Sequence, residues 1–142
     1  MATTIDKVAE DLVMLSITRR NTSVFLRPEH KVMRPGDTTD VRRHDFLAID
    51  LAKKTVSAVE VSTAANVGKL LQKVRERHVW SYPIIRQQLD LPGDWEFRTE
   101  LYVRANLEAD VKTTFRDQGD VQVYALPEVG LIWPPPEETD ST

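Results

Sequence analysis

The sequence predicts one α+β domain, in which helices pack against a β-sheet. Some segments repeat their apolar residues at helical spacing, and others alternate apolar with polar residues as strands do. The two kinds of segment follow one another along the chain, which favours a layered domain. With 142 residues, of which 41% are hydrophobic and 29% charged, the chain is long enough to bury one sizeable core.

The N-terminal quarter of the chain predicts a helix and then less regular structure. Residues 4–20 repeat their apolar positions at helical spacing, with a threonine available as the cap. The face expected to be buried comprises Ile5, Val8, Leu12 and Leu15. A short strand is expected over residues 23–26, and the Pro-Gly pair within residues 34–37 indicates a turn.

The middle of the chain predicts a β-hairpin followed by a helix. Residues 45–51 and 55–61 are rich in β-forming side chains and are separated by a short polar link, as in a hairpin. A helix is expected over residues 65–79. Its expected buried face comprises Val67, Leu70, Leu71, Val74 and His78.

The rest of the chain predicts a short helix at 84–89, a strand at 95–104, a helix at 107–118 and a strand at 120–126. Residues 134–142 are polar, acidic and rich in proline, so we expect a disordered tail after a domain that spans residues 1–133.

The composition excludes several classes of protein. The chain has no cysteine, and therefore no disulfide, thiolate nucleophile or thiolate metal site. It shows no basic leader followed by an apolar run, and no stretch near the roughly 18 apolar residues of a membrane span. We therefore expect a cytoplasmic protein that has no membrane partner.

The charge is distributed unevenly. Residues 1–86 contain 15 Lys and Arg against 10 Asp and Glu, whereas residues 87–142 contain 4 against 12, within a net charge of -3. A basic half can attract a polyanion through its local field, although an uneven solvated surface gives the same counts. Only clustering in space decides between the two interpretations.

Two carboxylates in the predicted hairpin are candidates for a metal site. Glu60 lies within a run of β-branched residues, where burying a carboxylate is costly unless it is paired or binds a cation. Asp45 begins the preceding strand of the hairpin. Carboxylates that converge from adjacent strands suit Mg²⁺ or Mn²⁺. The alternative is that both acids face solvent at strand ends.

The same segment resembles the PD-(D/E)XK, or restriction-endonuclease-like, nuclease superfamily. The resemblance rests on His44-Asp45, on Asp50 in the turn, on Glu60-Val61-Ser62 and on the helix that follows. It implies an αβββαβ core with a mixed central sheet flanked by helices. It also implies that Asp45, Glu60 and the carbonyl of Val61 bind Mg²⁺ or Mn²⁺, the metal cofactor of DNA cleavage.

The chain departs from the family pattern at two positions. Ser62 stands where the family has lysine, and His44 stands where it has proline. A hydroxyl supplies no positive charge, and the loss of one such group typically costs about 10²–10³ in rate. Lys69 and Gln72 in the following helix are the candidates to replace the lysine, with Lys73 a turn further on. Each also fits a solvated helix face.

Three functional hypotheses follow. The first is a metal-dependent DNA nuclease, and the second is an inactive nuclease-fold protein that binds nucleic acid, a protein partner or a second copy of itself. The third is an unrelated interaction module in which Trp95, Tyr102 and Trp133 serve packing or an interface. The first two predict contacts with phosphates. The basic residues expected to make them are Arg42, Arg43, Lys69, Lys73, Arg75 and Arg77.

Overall fold

A computed structural model describes residues 4–20, 23–33 and 42–126. The predicted turn at 34–37, Trp133 and the predicted tail at 134–142 lie outside these ranges. In chain order the elements are α1 (Thr4–Arg20), β1 (Val24–Val32), β2 (Arg42–Asp50), β3 (Thr55–Val61), α2 (Gly68–Arg75), α3 (Arg77–Trp80), α4 (Tyr82–Leu89), β4 (Glu96–Val103), α5 (Ala105–Thr114) and β5 (Val121–Ala125).

The five strands form one open mixed sheet whose spatial order follows the chain order. β1, β2 and β3 pair antiparallel, and β3, β4 and β5 pair parallel. Parallel neighbours need a crossover. Helices α2 to α4 connect β3 to β4, and α5 connects β4 to β5. The predicted α+β class is therefore confirmed.

The predicted hairpin is present as β2 and β3. Its turn is stabilised by Asp50, whose Oδ1 accepts hydrogen bonds from the Lys53 backbone N–H at 3.0 Å and the Ser23 hydroxyl at 2.8 Å. These bonds lower the pKa of Asp50, although burial opposes them. Lys54 ends the turn with a φ of 56°. Asp50 thus has a structural role at the end of the hairpin away from Asp45 and Glu60.

Helix α1 has the predicted bounds but buries a different face. Ala9, Val13 and Ile17 are buried, whereas Val8 is 53% exposed and Leu15 is 39% exposed. The buried positions are four residues apart, so they form one ridge along the helix. Apolar residues lie on both candidate faces, and only contact with the sheet decides between them.

Strand β1 is longer than predicted. It continues through Pro28 to Val32, beyond the predicted end at residue 26. An edge strand tolerates proline because the missing N–H is not needed by a second neighbour. Glu29 follows with a φ of 51°, a local distortion of this edge.

The helix predicted over residues 65–79 is divided into α2 and α3 at Glu76. The break changes the rotation of the chain, so Arg77 is buried at 3% exposure. The His78 side chain, expected on the buried face, is 65% exposed. The first turn is also absent, because α2 begins at Gly68.

Both faces of the sheet are covered. Helix α1 lies on one face, and α2 to α5 lie on the other. The core beneath α1 contains Val13, Ile17, Phe46, Ala48, Val59 and Tyr102. The core beneath α3 and α4 contains Val32, Leu47, Val56, Ala58, Trp80, Ile84 and Ile85. Strand β3 is thus buried on both sides, and Glu60 with it. In the described part of the chain, no helix has the length and apolar character needed to span a membrane.

Arg77 ties the helical layer to the start of β5. Its Nε and Nη2 donate to the two carboxylate oxygens of Asp120 at 2.6 and 2.8 Å. The remaining donors reach the Gln118 side chain at 2.7 Å and the Val74 carbonyl at 2.9 Å. Tyr82 adds a hydrogen bond to Asp120 at 2.7 Å. Paired two-point contacts of this kind are strong and directional.

We expect Arg77→Met to lower the free energy of unfolding by about 3 kcal/mol, because it leaves the Asp120 carboxylate without its ion-pair partner. Urea denaturation followed by circular dichroism measures this change. The matched control is Arg75→Met, which removes an exposed charge from the same helical region and should cost less than about 0.5 kcal/mol.

The same substitution should change the response to acid. The hydrogen bond from Arg77 is the main cause that lowers the pKa of Asp120 to about 2, from 3.8. A carboxyl group with a lowered folded-state pKa stabilises the fold above about pH 4, and this contribution is lost as the pH falls towards 2. In Arg77→Met the loss of stability over this interval should be smaller. An identical pH dependence in both proteins would count against the ion pair.

Candidate functional site

Asp45 and Glu60 lie where β2 and β3 separate. The paired register of the two strands runs from Asp50 opposite Thr55 to Phe46 opposite Val59, and both acids lie one residue beyond it. There the Asp45 carboxylate accepts a hydrogen bond from the backbone N–H of Val61 at 2.6 Å. The Asp45 side chain thus accepts the hydrogen bond of the Val61 N–H, which is no longer paired with the backbone of β2.

The pKa of the Asp45 carboxyl group is raised well above its ordinary value. Burial raises its pKa, and the negative charge of Glu60 raises it further, to about 7. The Val61 hydrogen bond acts in the opposite direction. Asp45 and Glu60 therefore interact electrostatically, and at neutral pH the Asp45 carboxyl group is divided between its two protonation states.

Glu60 is buried at 4% exposure and receives two donors on one oxygen. The ammonium group of Lys73 lies 2.9 Å from Oε2, and the Nδ1 atom of His44 contacts the same Oε2. Among the described residues, both of these Glu60 contacts are made through Oε2. Lys73 also donates to the carbonyl of Arg43, which holds α2 against β2.

His44 continues the contacts of Glu60 towards the helical layer. Its second ring nitrogen, Nε2, lies 2.6 Å from the hydroxyl of Ser81 at the start of α4. The order Ser81–His44–Glu60 has the connectivity of a hydrolase triad. Ser81 is 4% exposed and His44 is 5% exposed, so the hydroxyl is not accessible to a substrate. The contacts orient Glu60 instead.

Lys73, rather than Lys69 or Gln72, reaches Glu60. Both of the preferred sequence candidates are exposed, and the Gln72 amide donates to Glu76 at 2.7 Å. The cause is the start of the helix, which begins at Gly68 and not near residue 65. A later start moves the residue that faces the strand end by about one turn. The hydroxyl of Ser62 accepts the Ala64 backbone N–H at 3.2 Å.

Asp45 lines a cleft between α1 and the sheet with a volume of about 560 Å³. Its lining residues are Asp6, Lys7, Glu10, Glu29, Arg43, Asp45, Val61, Ser62, Thr63 and Ala64. The charge of Glu10 contributes to the raised pKa of Asp45, and burial raises the pKa of Glu10 as well. Glu10 is thus an acid of α1 that faces the same cleft as Asp45.

Five of the six predicted phosphate-binding residues separate into two sets, and the sixth, Lys73, pairs with Glu60. Arg77 is buried in its contacts with Asp120, and Arg42 pairs with Glu76 while its guanidinium lies 4.6 Å from the centre of the Trp80 ring. Arg43, Lys69 and Arg75 are exposed. A groove of about 350 Å³ beside Glu60 is lined by Arg42, Arg43, Lys69, Gln72, Lys73 and Glu76.

Two of the aromatic residues considered for an interface belong to the core. Tyr102 is fully buried and stacks on Tyr124 with ring centres 4.8 Å apart. Trp95 packs against the apolar cluster beneath α4. The described residues also contain no group of three or more His, Asp or Glu side chains arranged to hold a metal ion.

No family model, curated protein or solved structure matches this chain.

We expect Glu60→Gln to lower the pKa of Asp45 from about 7 while leaving it above 3.8, because the repulsion is removed and the burial remains. The change is measured by ¹³C NMR titration of the Asp45 carboxyl carbon. A raised folded-state pKa stabilises the fold below about pH 4, and this contribution is lost as the pH rises to 7. The variant should lose less stability over that interval.

Glu100→Gln is the control for this titration. Glu100 accepts a hydrogen bond from Tyr102 at 2.8 Å and is not among the groups that shift Asp45. Its substitution should leave the Asp45 midpoint in place. A midpoint that is the same in wild type and Glu60→Gln would show that the two carboxyl groups do not interact.

Proposed function

We propose that this chain is a restriction-endonuclease-like phosphodiesterase that cleaves DNA weakly with Mg²⁺ or Mn²⁺. The observation that carries the proposal is the position of Lys73, whose ammonium group lies 2.9 Å from Glu60. Ser62 leaves the family pattern without its lysine, and Lys73 supplies an ammonium group at the neighbouring carboxylate from the next helix.

The order of the elements supports the fold named in this proposal. A helix is followed by three antiparallel strands, a helical crossover and a fourth strand parallel to the third, which is the αβββαβ arrangement that the resemblance implies. Helix α5 and strand β5 extend it by one further parallel unit. The two acids lie on the central strands, at the point where those strands diverge.

The donor set fits a hard divalent cation. Asp45 is a desolvated carboxyl group repelled by the charge of Glu60, and a cation held by both would remove that repulsion. Asp45, Glu60 and the carbonyl of Val61 are the groups that would hold it. When bound, such an ion activates water and neutralises the charge that develops on a phosphodiester.

The chain's own residues then have separate roles. Lys73 orients Glu60 and places a positive charge beside the carboxylates, where negative charge develops during cleavage. The groove that contains Arg43 and Lys69 binds backbone phosphates, which positions a duplex without reading its sequence. Arg75 is exposed on the same helix and adds to this field.

A second candidate function is DNA binding without cleavage. The observation that favours it is that Lys73 and His44 already satisfy Glu60, so the buried carboxylate does not require a metal ion. Both functions use the same groove. Metal binding and turnover distinguish them.

We expect Mn²⁺ to bind the wild-type protein at pH 8 and to bind Glu60→Gln at least about 10-fold more weakly, because one of two carboxylate ligands is lost. Isothermal titration calorimetry measures both affinities. Glu96→Gln removes an exposed carboxylate with 73% side-chain exposure and serves as the control. Equal heats from wild type and Glu60→Gln would exclude a cation site at Glu60.

We expect Lys73→Met to reduce the single-turnover rate of oligonucleotide cleavage by about 10²-fold, because a charge beside the reacting phosphate is removed. Lys69→Met is the matched comparison, since it removes a lysine from the same helix that has no contact with Glu60. It should weaken DNA binding while keeping the rate at saturating protein. Asp45→Ala should abolish cleavage.

Equal rates for Lys73→Met and Lys69→Met would reject the role assigned to Lys73. If wild type binds DNA at low salt without cleaving it, the second candidate function is supported. Ser62→Lys then restores the family residue, and a gain of cleavage would identify a nuclease fold that lacks one group. Absence of both binding and cleavage in all variants would reject both candidate functions.

A further inference from the structure

A continuous chain of polar contacts crosses the core from the helical layer to the sheet. It runs from the Ser81 hydroxyl to His44 Nε2 at 2.6 Å, and from His44 Nδ1 to Glu60 Oε2. Lys73 meets it at the same Oε2 from the solvent side, with 25% of its side chain exposed. The groove and the cleft described above do not include Ser81 or His44 among their lining residues.

The acceptor and donor capacities of these groups assign the ring tautomer. An ionised carboxylate only accepts hydrogen bonds, so His44 donates to Glu60 from Nδ1. Its Nε2 atom then accepts a hydrogen bond from the Ser81 hydroxyl. These two contacts therefore favour the imidazole tautomer that is protonated at Nδ1.

The position of Ser81 is fixed by its backbone hydrogen bonds. Its backbone N–H donates to the Arg77 carbonyl at 3.0 Å, and its carbonyl accepts the Ile85 N–H at 2.9 Å. Ile85 is fully buried in the apolar cluster beneath α4. The position of the hydroxyl, and through it the plane of the His44 ring, is thus set by the packing of α3 and α4 on the sheet.

From this geometry we infer that Ser81 and His44 are positioning residues that select the metal-binding oxygen of Glu60. His44 and Lys73 both occupy Oε2, so Oε1 remains as the oxygen able to bind a cation. The inference rests on the proposed function. His44, which stands where the family has proline, thereby has the role of orienting Glu60.

The test compares wild type with Ser81→Ala and with Ser57→Ala. Ser57 is a similarly buried serine, 7% exposed on β3, and is not in the chain of contacts. ¹⁵N NMR of the metal-free proteins at pH 8 reports which His44 nitrogen carries the proton. Mn²⁺ affinity is measured by calorimetry on the same samples, and thermal melting verifies that each variant is folded.

Wild type and Ser57→Ala should show His44 protonated at Nδ1, with equal Mn²⁺ affinity. Ser81→Ala should show a mixture of tautomers and about 10-fold weaker Mn²⁺ binding, the range found when a partner behind a metal ligand is removed. A wild-type ring protonated at Nε2 would overturn the inference, whether or not Ser81→Ala folds. So would equal Mn²⁺ affinity in Ser81→Ala and Ser57→Ala.

Failure of the proposed function gives a different result. If wild type shows the Nδ1 tautomer but no Mn²⁺ binding, the cation site is rejected and so is the selection of Oε1. The tautomer change in Ser81→Ala then shows that Ser81 orients His44 for a structural reason alone.

Discussion

The burial of one carboxylate is the constraint on which the rest of this structure depends. Glu60 lies on a strand that is covered on both faces, and it is 4% exposed. Such a group is tolerated only with charged or hydrogen-bonding partners close to it. Lys73 and His44 meet this need from two different elements. The place where α2 begins sets the position of Lys73, and β2 supplies His44. Both elements therefore provide the partners that the buried Glu60 side chain of β3 needs.

A second consequence concerns the separation of β2 and β3. The strands stop pairing after Phe46 and Val59, and the side chain of Asp45 takes over the last donor. This opens the sheet beside two interacting carboxyl groups while the Val61 N–H keeps a hydrogen-bond acceptor. Acids that would be solvated at an ordinary strand end are here brought together, and burial, with the charge of Glu60 in addition, raises the pKa of Asp45.

The helical layer is held in place by contacts that are distant from the site. Arg77 fixes the junction of α2 and α3 to Asp120, and Tyr82 joins the same carboxylate from α4. Lys73 lies just before this junction and Ser81 just after it. The positions of Lys73 and Ser81 thus depend on Arg77, a residue for which the sequence predicted phosphate binding.

The sequence by itself determined the α+β class, the hairpin and the bounds of α1, because periodicity is a local property that the chain carries in any context. The resemblance also led to Asp45 and Glu60. Tertiary structure alone decided that α1 buries Ala9, Val13 and Ile17, and that Lys73 reaches Glu60. These outcomes depend on where a helix begins and how it is rotated against the sheet. When the first residue of a helix shifts by three or four positions, the residue that contacts the neighbouring strand shifts by about one helical turn.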